Sequence, residues 1–255
     1  MVDRKVSSAI IFEDDADWDV SLKMQLVQFA RGSRFILKTP KHKVPHSPYG
    51  DSWDLLWLGH CASRADPEDN RRWVIPKDPT VLPPEKRHYW EEPDMTNFES
   101  GPHGDTSTRI VHAQSWGTCA TAYAISLQGA EKVLYHESML PFNNPVDEGF
   151  GAMCDTLSYF NCVAPFPTLI GVARPPGPTN RWSDNNHAPE EDFIEERGFT
   201  EGIMFSTRQN IARLFRNERV FESQYPEVTG PEMDIEQIGG AVGHPEWLET
   251  PRELE

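Results

Sequence analysis

The first part of the chain combines a short apolar run with a helical repeat. Residues 7–12 are mostly apolar and lead directly into acidic residues, which predicts a short buried strand. Asp19 is suited to cap a helix that continues to about Ala30. Gly32 is expected to end that helix, because glycine is favoured just beyond a helix C-terminus. The apolar positions near helical spacing are Val20, Met24, Val27 and Phe29.

Further along, apolar runs of strand length alternate with helical patterns. Residues 53–58 (WDLLWL), which Gly59 stops, and residues 118–125 (TCATAYAI) both predict buried strands. Ser126 then has the right type and position to cap a helix that runs to about His136. This order is typical of an α/β fold.

The remaining patterns complete that prediction. A helix is expected over residues 146–157, a strand within 165–173, and an amphipathic helix over 203–215 in which Ile211, Leu214 and Phe215 are apolar. Residues 67–102 are rich in proline and charge, with one possible strand at 73–75. The sequence therefore predicts one central sheet flanked by helices, in a Rossmann-like arrangement with long proline-rich loops.

The end of the chain has a different character. After Arg216 it is acidic, rich in proline and glycine, and without periodicity. Such a segment either wraps the surface or lacks fixed structure. We therefore predict a folded domain over residues 1–220 and an acidic tail over residues 221–255.

Net charge and cysteine content narrow the possible partners. The formal charge of −16 disfavours nucleic acid, because a strongly negative surface repels phosphate backbones. No apolar run is long enough for a membrane segment. The cysteines Cys61, Cys119, Cys154 and Cys162 are spaced too widely for a zinc ribbon or a CxxC pair. They are compatible with two disulfides or with buried thiols, and the sequence does not choose among the three possible pairings.

An acidic cluster follows the first predicted strand. Glu13, Asp14, Asp15, Asp17 and Asp19 lie within seven residues. Ligands of open α/β sheets bind at the carboxyl ends of strands, and Mn²⁺ or Mg²⁺ would offset the repulsion between these side chains. Such an ion neutralises the charge that develops on a diphosphate leaving group. The alternatives are a solvated acidic turn in which Asp19 caps the next helix, or a hydrolase in which Asp14 and Asp15 are paired metal ligands.

Four segments, taken in order, resemble glycosyltransferase family 25, which includes collagen galactosyltransferases and bacterial lipooligosaccharide glycosyltransferases. The segments are IIFEDDADWD (10–19), WDLLWLG (53–59), CATAYAISLQGAEKVL (119–134) and PVDEGF (145–150). The fungal branch is the most similar, judged by LGHC (58–61) and RWSD (181–184). The resemblance covers residues 8 to 220. It implies a GT-A-like fold and Mn²⁺-assisted transfer of a hexose, galactose by analogy, from a UDP-sugar to a hydroxyl acceptor with inversion.

The resemblance also assigns roles to individual residues. Asp15 would be the principal metal ligand of a DxD-like motif, Asp14 would lie beside the ribose or the metal, and Glu13 would support them. Asp147 or Glu148, at the start of a helix, would be the general base. Ser183 and Asp184 would lie near the diphosphate. Without the resemblance, Asp147 and Glu148 are typical of a helix N-terminus, and Ser183 and Asp184 of a polar turn.

The chain departs from the family in one respect. Only twelve residues precede Glu13, whereas family members carry a first strand and helix there that hold the uridine. We expect an N-terminally truncated version of the fold, which leaves open a catalytically inactive protein that still binds a ligand. A carboxylate-metal hydrolase is a third hypothesis, although no histidine-rich second ligand set accompanies the acidic residues. The family usually works in the secretory pathway of eukaryotes, and the sequence shows no targeting segment.

Overall fold

The computed structural model describes residues 1–42, 44–139, 145–179 and 194–249. Over these ranges the protein is a mixed α/β structure with a large mixed central sheet and helices on both sheet faces. The strands are β1 (Ser8–Phe12), β2 (Ala16–Trp18), β3 (Leu55–Gly59), β4 (Ala62–Ala65), β5 (Arg71–Ile75), β6 (Arg109–Thr118), β7 (Ala122–Ser126), β8 (Cys162–Phe166), β9 (Ile170–Arg174), β10 (Gly177–Pro178), β11 (Ile194–Glu195), β12 (Phe199–Thr200), β13 (Val220–Glu222), β14 (Glu232–Asp234) and β15 (His244–Trp247). The helices are α1 (Leu22–Ile36), α2 (Thr96–Glu99), α3 (Leu127–Leu134), α4 (Val146–Thr156), α5 (Ile211–Phe215), α6 (Pro226–Thr229) and α7 (Ile235–Ile238).

The central sheet has the order β1-β7-β3-β8-β6-β5-β15, and β4 pairs with the second half of β6. Its neighbours are antiparallel except for β3 and β8, which are parallel. Consequently β1, β3 and β8 run in the same direction, and their carboxyl ends lie on the same side of the sheet. The acidic residues that follow β1 therefore lie beside the carboxyl ends of these strands, as predicted.

Two apolar cores lie on opposite faces of this sheet. Because side chains alternate along a strand, Leu55 and Leu56 in β3 enter different cores. On one face Leu56 packs with Phe29 and Ile36 of α1. On the other, Leu55 packs with Phe150 of α4. The sheet is thus the middle of three layers.

The first strand differs from its prediction. β1 has the predicted position, but among the described residues it is the edge strand of the sheet and β7 is its one partner. Its side chains are not buried: Ile10 is 47% exposed and Phe12 is 39% exposed. The apolar run indicated a strand correctly, but burial depends on what covers the strand, and the run does not encode that.

The first helix is longer than predicted. α1 begins after Ser21 rather than at Asp19 and passes through Gly32 to Ile36. Gly32 lies where the helix touches the sheet, because a Cβ atom there would stand 2.8 Å from Cβ of Val111. The glycine permits close helix–sheet approach and does not end the helix.

The prediction of a helix over residues 203–215 is largely wrong. Only Ile211–Phe215 is helical. Ile203, Met204 and Phe205 are fully buried outside any helix or strand, whereas Phe215, an apolar residue of the predicted helix, is 83% exposed. A continuous buried run has no helical period, and pattern matching extended the helix into it.

Other elements lie close to their predictions. Ser126 caps α3 by accepting a hydrogen bond from the backbone N–H of Gly129 at 2.9 Å. The single strand expected over 118–125 is the end of β6, a turn and β7, and the region 165–173 contains parts of two strands, β8 and β9.

The last forty residues contain regular structure despite their lack of periodicity. β13 and β14 form a hairpin-like pair, and β15 pairs with β5 as the outer strand of the central sheet. Phe221 and Ile238 are buried in a further core with Phe205. Short elements separated by prolines and glycines carry too few residues for a period to emerge.

Disulfides join Cys61 to Cys119 and Cys154 to Cys162. The first connects the loop after β3 to the turn between β6 and β7. The second connects α4 to β8, with Cα atoms 5.9 Å apart. Within the described ranges, no helix is both long and apolar enough to cross a lipid bilayer.

Candidate functional site

The acidic triplet Glu13–Asp15 occupies the junction between two sheets. β1 ends at Phe12, and the chain then turns into β2, which pairs with β9 in a three-stranded sheet β12-β9-β2. The turn is fixed at both ends: the N–H of Glu13 donates to the carbonyl of Thr121 at 3.0 Å, and the carbonyl of Asp15 accepts from the N–H of Ala173 at 2.7 Å. The three carboxylates are therefore held on an anchored turn.

This turn forms one wall of a cleft of about 760 Å³. A cleft of that volume has room for a ligand of nucleotide-sugar size. Its walls are predominantly polar or charged. The lining residues are Glu13, Asp14, Asp15, Ala173, Arg174, Pro175, Gly198, Phe199, Thr200, Ser206, Arg208, Gln209 and Gln224.

The five carboxylates of the sequence cluster separate into two groups. Glu13 and Asp14 are exposed, and Asp15 is half-buried in the cleft wall. Asp17 is buried and accepts hydrogen bonds from the hydroxyls of Thr200 and Ser206 at 2.6 and 2.5 Å. Asp17 therefore ties β2 to β12 and the 206 turn, a structural role that the sequence does not reveal.

Asp19 is also buried and structural. Its carboxylate accepts a hydrogen bond from the N–H of Phe205 at 2.6 Å and from Nε2 of Gln25 at 3.3 Å. Burial raises the pKa of Asp19 to about 7, and the hydrogen bond from Phe205 opposes that rise. Asp17 and Asp19 are therefore bound inside the protein, and of the five carboxylates in the cluster only those of Glu13, Asp14 and Asp15 line the cleft.

Like charges meet at this wall. Partial burial raises the pKa of Glu13, and repulsion from Asp15, Asp147 and Asp14 raises it further. Asp147 is distant in sequence, so the fold brings the candidate base into electrostatic range of the acidic triplet. A cation bound between these carboxylates would remove the repulsion.

Asp147 and Glu148 lie in the first turn of α4 and contact the turn after β6. Oδ2 of Asp147 accepts from the Thr118 hydroxyl at 2.8 Å and from the N–H of Cys119 at 2.9 Å. Oε1 of Glu148 lies 3.1 Å from the same hydroxyl, which has one proton to share between them. Both carboxylates are half-buried beside the cleft wall, and neither lines the cleft itself.

Two arginines bring positive charge to the cleft. Nη2 of Arg208 donates to the carbonyls of Asp14 and Ala16 at 2.8 and 3.1 Å, so this side chain crosses the acidic turn. Arg174 forms a bidentate pair with Glu201, with Nε and Nη2 donating at 2.9 and 3.2 Å. Neither arginine was predicted from the sequence, nor were Thr200, Ser206 and Gln224, because these residues reach the cleft from β9, from β12 and from the segment after β12, far from the motif in sequence.

The other predicted site residues, Ser183 and Asp184, lie outside the described residues. Trp116, a possible sugar-stacking residue, is half-buried and has the Arg64 guanidinium 5.3 Å from its ring centre. That face of Trp116 is therefore covered.

The residues of the acidic wall fit a hard divalent cation in chemistry. Carboxylate oxygens are the ligands that Mn²⁺ and Mg²⁺ prefer, and residues 13–15 supply three carboxylates on one turn. In the described part of the chain, no three histidine, cysteine or carboxylate side chains already converge on one point. Asp15 and its neighbours would therefore hold such an ion together with ligand or water oxygens, as Mg²⁺ sites in proteins usually do.

No protein-family model matches the chain. Comparisons with curated proteins and with solved structures give no match either. The similarity to glycosyltransferase family 25 therefore rests on the sequence segments alone.

Proposed function

We propose that the protein is a glycosyltransferase that uses a UDP-hexose, by analogy UDP-galactose, together with Mn²⁺ or Mg²⁺. One observation carries the proposal: the Glu13–Asp15 turn, anchored at the carboxyl end of β1, forms a wall of a polar cleft of about 760 Å³. Strand-end clefts are the usual ligand sites of α/β sheets. The GT-A-like description of the mixed α/β fold belongs to this proposal.

Charge in the cleft suits a diphosphate bound through a cation. The acidic triplet alone would repel phosphate, but a divalent ion on Asp15 and Asp14 makes that wall attractive to it. Arg208, which crosses the same turn, supplies a second positive group. Together they would neutralise the charge of a departing nucleoside diphosphate.

The same arrangement suggests a position for the general base. Asp147 is close enough to Glu13 for the two carboxylates to repel each other. Its Oδ2 is occupied by Thr118 and Cys119, which fix the side chain, and Oδ1 is the oxygen that would accept a proton from an acceptor hydroxyl. Glu148 is the alternative base, and transfer by either one would be a single displacement with inversion.

The disulfides support a secretory location for this activity. Structural disulfides persist in oxidising compartments, and the two pairs here occupy the β6–β7 turn beside the cleft and the α4–β8 contact. We propose the lumen of the secretory pathway, with a glycan or protein hydroxyl as the acceptor.

Calorimetric titration of UDP into the purified protein, with and without Mn²⁺, tests the donor site. We expect binding that requires the metal and is lost in Asp15→Ala. The matched control is Glu85→Ala, which removes an exposed carboxylate that does not line the cleft. This variant should bind UDP like the wild type. Equal UDP binding by the Asp15→Ala protein would refute the metal role.

A second candidate is a ligand-binding protein without transferase activity. Asp147 and Glu148 lie outside the cleft lining and both contact Thr118, an arrangement that also suits purely structural carboxylates. The two functions separate when UDP-sugar consumption is measured with a panel of hydroxyl acceptors. Metal-dependent UDP binding with no turnover of any donor, even to water, would favour the binding protein.

A further inference from the structure

The outer edge of β1 carries backbone hydrogen-bonding groups that face away from the protein. In the antiparallel β1–β7 pair, the bonded positions on the β1 side are odd-numbered: the carbonyl of Ser7 accepts from Leu127 and the N–H of Glu13 donates to Thr121. Hydrogen-bonded positions alternate along such a strand. The N–H and C=O groups of Ser8, Ile10 and Phe12 therefore point outward, along the edge of the central sheet, where no other strand of the described ranges pairs with β1.

Two apolar side chains at that edge are also partly exposed, although the Phe12 ring contacts Trp18 at 5.3 Å between ring centres. Ile10 and Phe12 are opposite Ala124 and Ala122, so they share the sheet face on which α1 lies. α1 covers the middle of that face, yet Ile10 remains 47% exposed and Phe12 39% exposed. An edge strand with free backbone groups and exposed apolar side chains is a template for another strand.

Charge along β1 indicates which strand fits. Arg4 and Lys5 precede the strand, and Glu13, Asp14 and Asp15 follow it. An antiparallel copy of the same strand places the basic end of one chain beside the acidic end of the other, at both ends of the pair. The edge is therefore complementary to itself under a two-fold axis.

We propose that two copies of this chain associate through β1, in antiparallel pairing centred on Ile10. In this register Ile10 of one copy lies opposite Ile10 of the other, and Ser8 of each copy lies opposite Phe12 of the other. No other register places all three outward-facing residues of both strands in pairs. Each bonded pair exchanges two backbone hydrogen bonds. The two central sheets become one continuous sheet, and the Ile10 and Phe12 side chains of both copies cover one another.

Sedimentation velocity over a range of protein concentrations at physiological salt tests the proposal. The wild type should sediment as a species of twice the 29.0 kDa chain mass. Ile10→Lys puts two like charges together at the axis and should weaken association at least tenfold. Val27→Lys, an equally exposed apolar position on α1 at 51%, is the matched control and should leave association unchanged.

A second variant addresses the backbone. Ile10→Pro removes an N–H that points away from β7, so the β1–β7 pairing is retained while the pairing between copies is lost. Circular dichroism melting establishes that each variant is folded. The proposal is overturned if the wild-type chain stays monomeric at every concentration. It is also overturned if both Ile10 variants leave the dimer intact, because the copies would then associate through another surface.

Discussion

The backbone N–H of Cys119 donates a hydrogen bond of 2.9 Å to the carboxylate of Asp147. Cys119 has a left-handed backbone conformation (φ 62°) and is also held by its disulfide to Cys61 and by the Trp57 indole, which donates to its carbonyl at 2.7 Å. Two residues further on, Thr121 fixes Glu13. One carboxylate on α4 is thus connected through a short turn to the acidic wall of the cleft.

That connection gives Asp147 two separable roles. Asp147→Asn keeps an oxygen for the Cys119 N–H but removes the charge that a general base needs. We expect UDP affinity and melting temperature close to wild type in this variant, with kcat reduced at least 100-fold, the lower range for general-base loss. Steady-state kinetics with a competent donor and acceptor provide the measurement.

The matched variants for this test are Asp147→Ala and Thr118→Val. Asp147→Ala leaves the Cys119 N–H without its acceptor and should lower the free energy of unfolding by about 1–3 kcal/mol. Thr118→Val removes only the hydroxyl and should retain most of the activity. Full activity in Asp147→Asn would assign Asp147 to structure alone and leave Glu148 as the remaining candidate base.

Arg208 provides a second test of the cleft, independent of the metal. Its guanidinium reaches the acidic turn through two backbone carbonyls, and we expect it to meet the diphosphate as well. Arg208→Met should weaken metal-dependent UDP binding about tenfold, or about 1.4 kcal/mol. Isothermal titration at fixed Mn²⁺ measures the change.

The control for Arg208 is Arg216→Met, which removes an exposed arginine paired with Glu218 outside the cleft. Uridine, which lacks the diphosphate, should bind wild type and Arg208→Met equally. If uridine binding falls as much as UDP binding, Arg208 supports the turn and does not contact phosphate.

Buried Asp19 makes stability depend on pH in a defined direction. Its pKa is about 7 in the folded protein and near 3.8 when unfolded, so the folded state holds the proton more tightly. The contribution of Asp19 to stability is therefore full below pH 3.8 and is lost as pH rises to about 7. Asp19→Asn does not titrate and should escape that loss.

The measurement is urea unfolding of wild type and Asp19→Asn at pH 5 and pH 8. The difference in unfolding free energy, variant minus wild type, should increase by at least about 1.4 kcal/mol, the value of one pKa unit. Subtracting the two unfolding free energies cancels the contributions of the other titrating groups. These include His60 and His112, whose pKa values burial lowers to about 4 and about 3. A difference that is constant between the two pH values would contradict the raised pKa.

Local patterns predicted the elements that local chemistry determines. The Ser126 cap, α4 and the strand ending at the acidic motif all depend on residues adjacent in sequence. The features that were not predicted depend on residues that are distant in sequence. They are the exposure of β1, the burial of Asp17 by Thr200 and Ser206, and the position of Arg208 at the cleft. An acidic run has the same composition whether its side chains face solvent or a buried hydroxyl. Only the tertiary structure therefore separates its exposed carboxylates from its buried ones.

Gly32 supplies the last prediction, because sequence and structure give different reasons for glycine at this position. A glycine just beyond a helix C-terminus is favoured for its left-handed backbone, which alanine adopts only at a cost. In α1, a Cβ at Gly32 would stand 2.8 Å from Cβ of Val111 and 3.0 Å from Cβ of Trp73. The clash forces α1 away from the sheet, so Gly32→Ala should destabilise the protein by about 1–3 kcal/mol, in the range for overpacked cores. Thermal and urea unfolding measure the loss, and Gly32→Ala combined with Val111→Ala should recover part of it by removing the Cγ atoms that crowd the helix. A Gly32→Ala protein more stable than wild type would mean that α1 does not approach the sheet this closely.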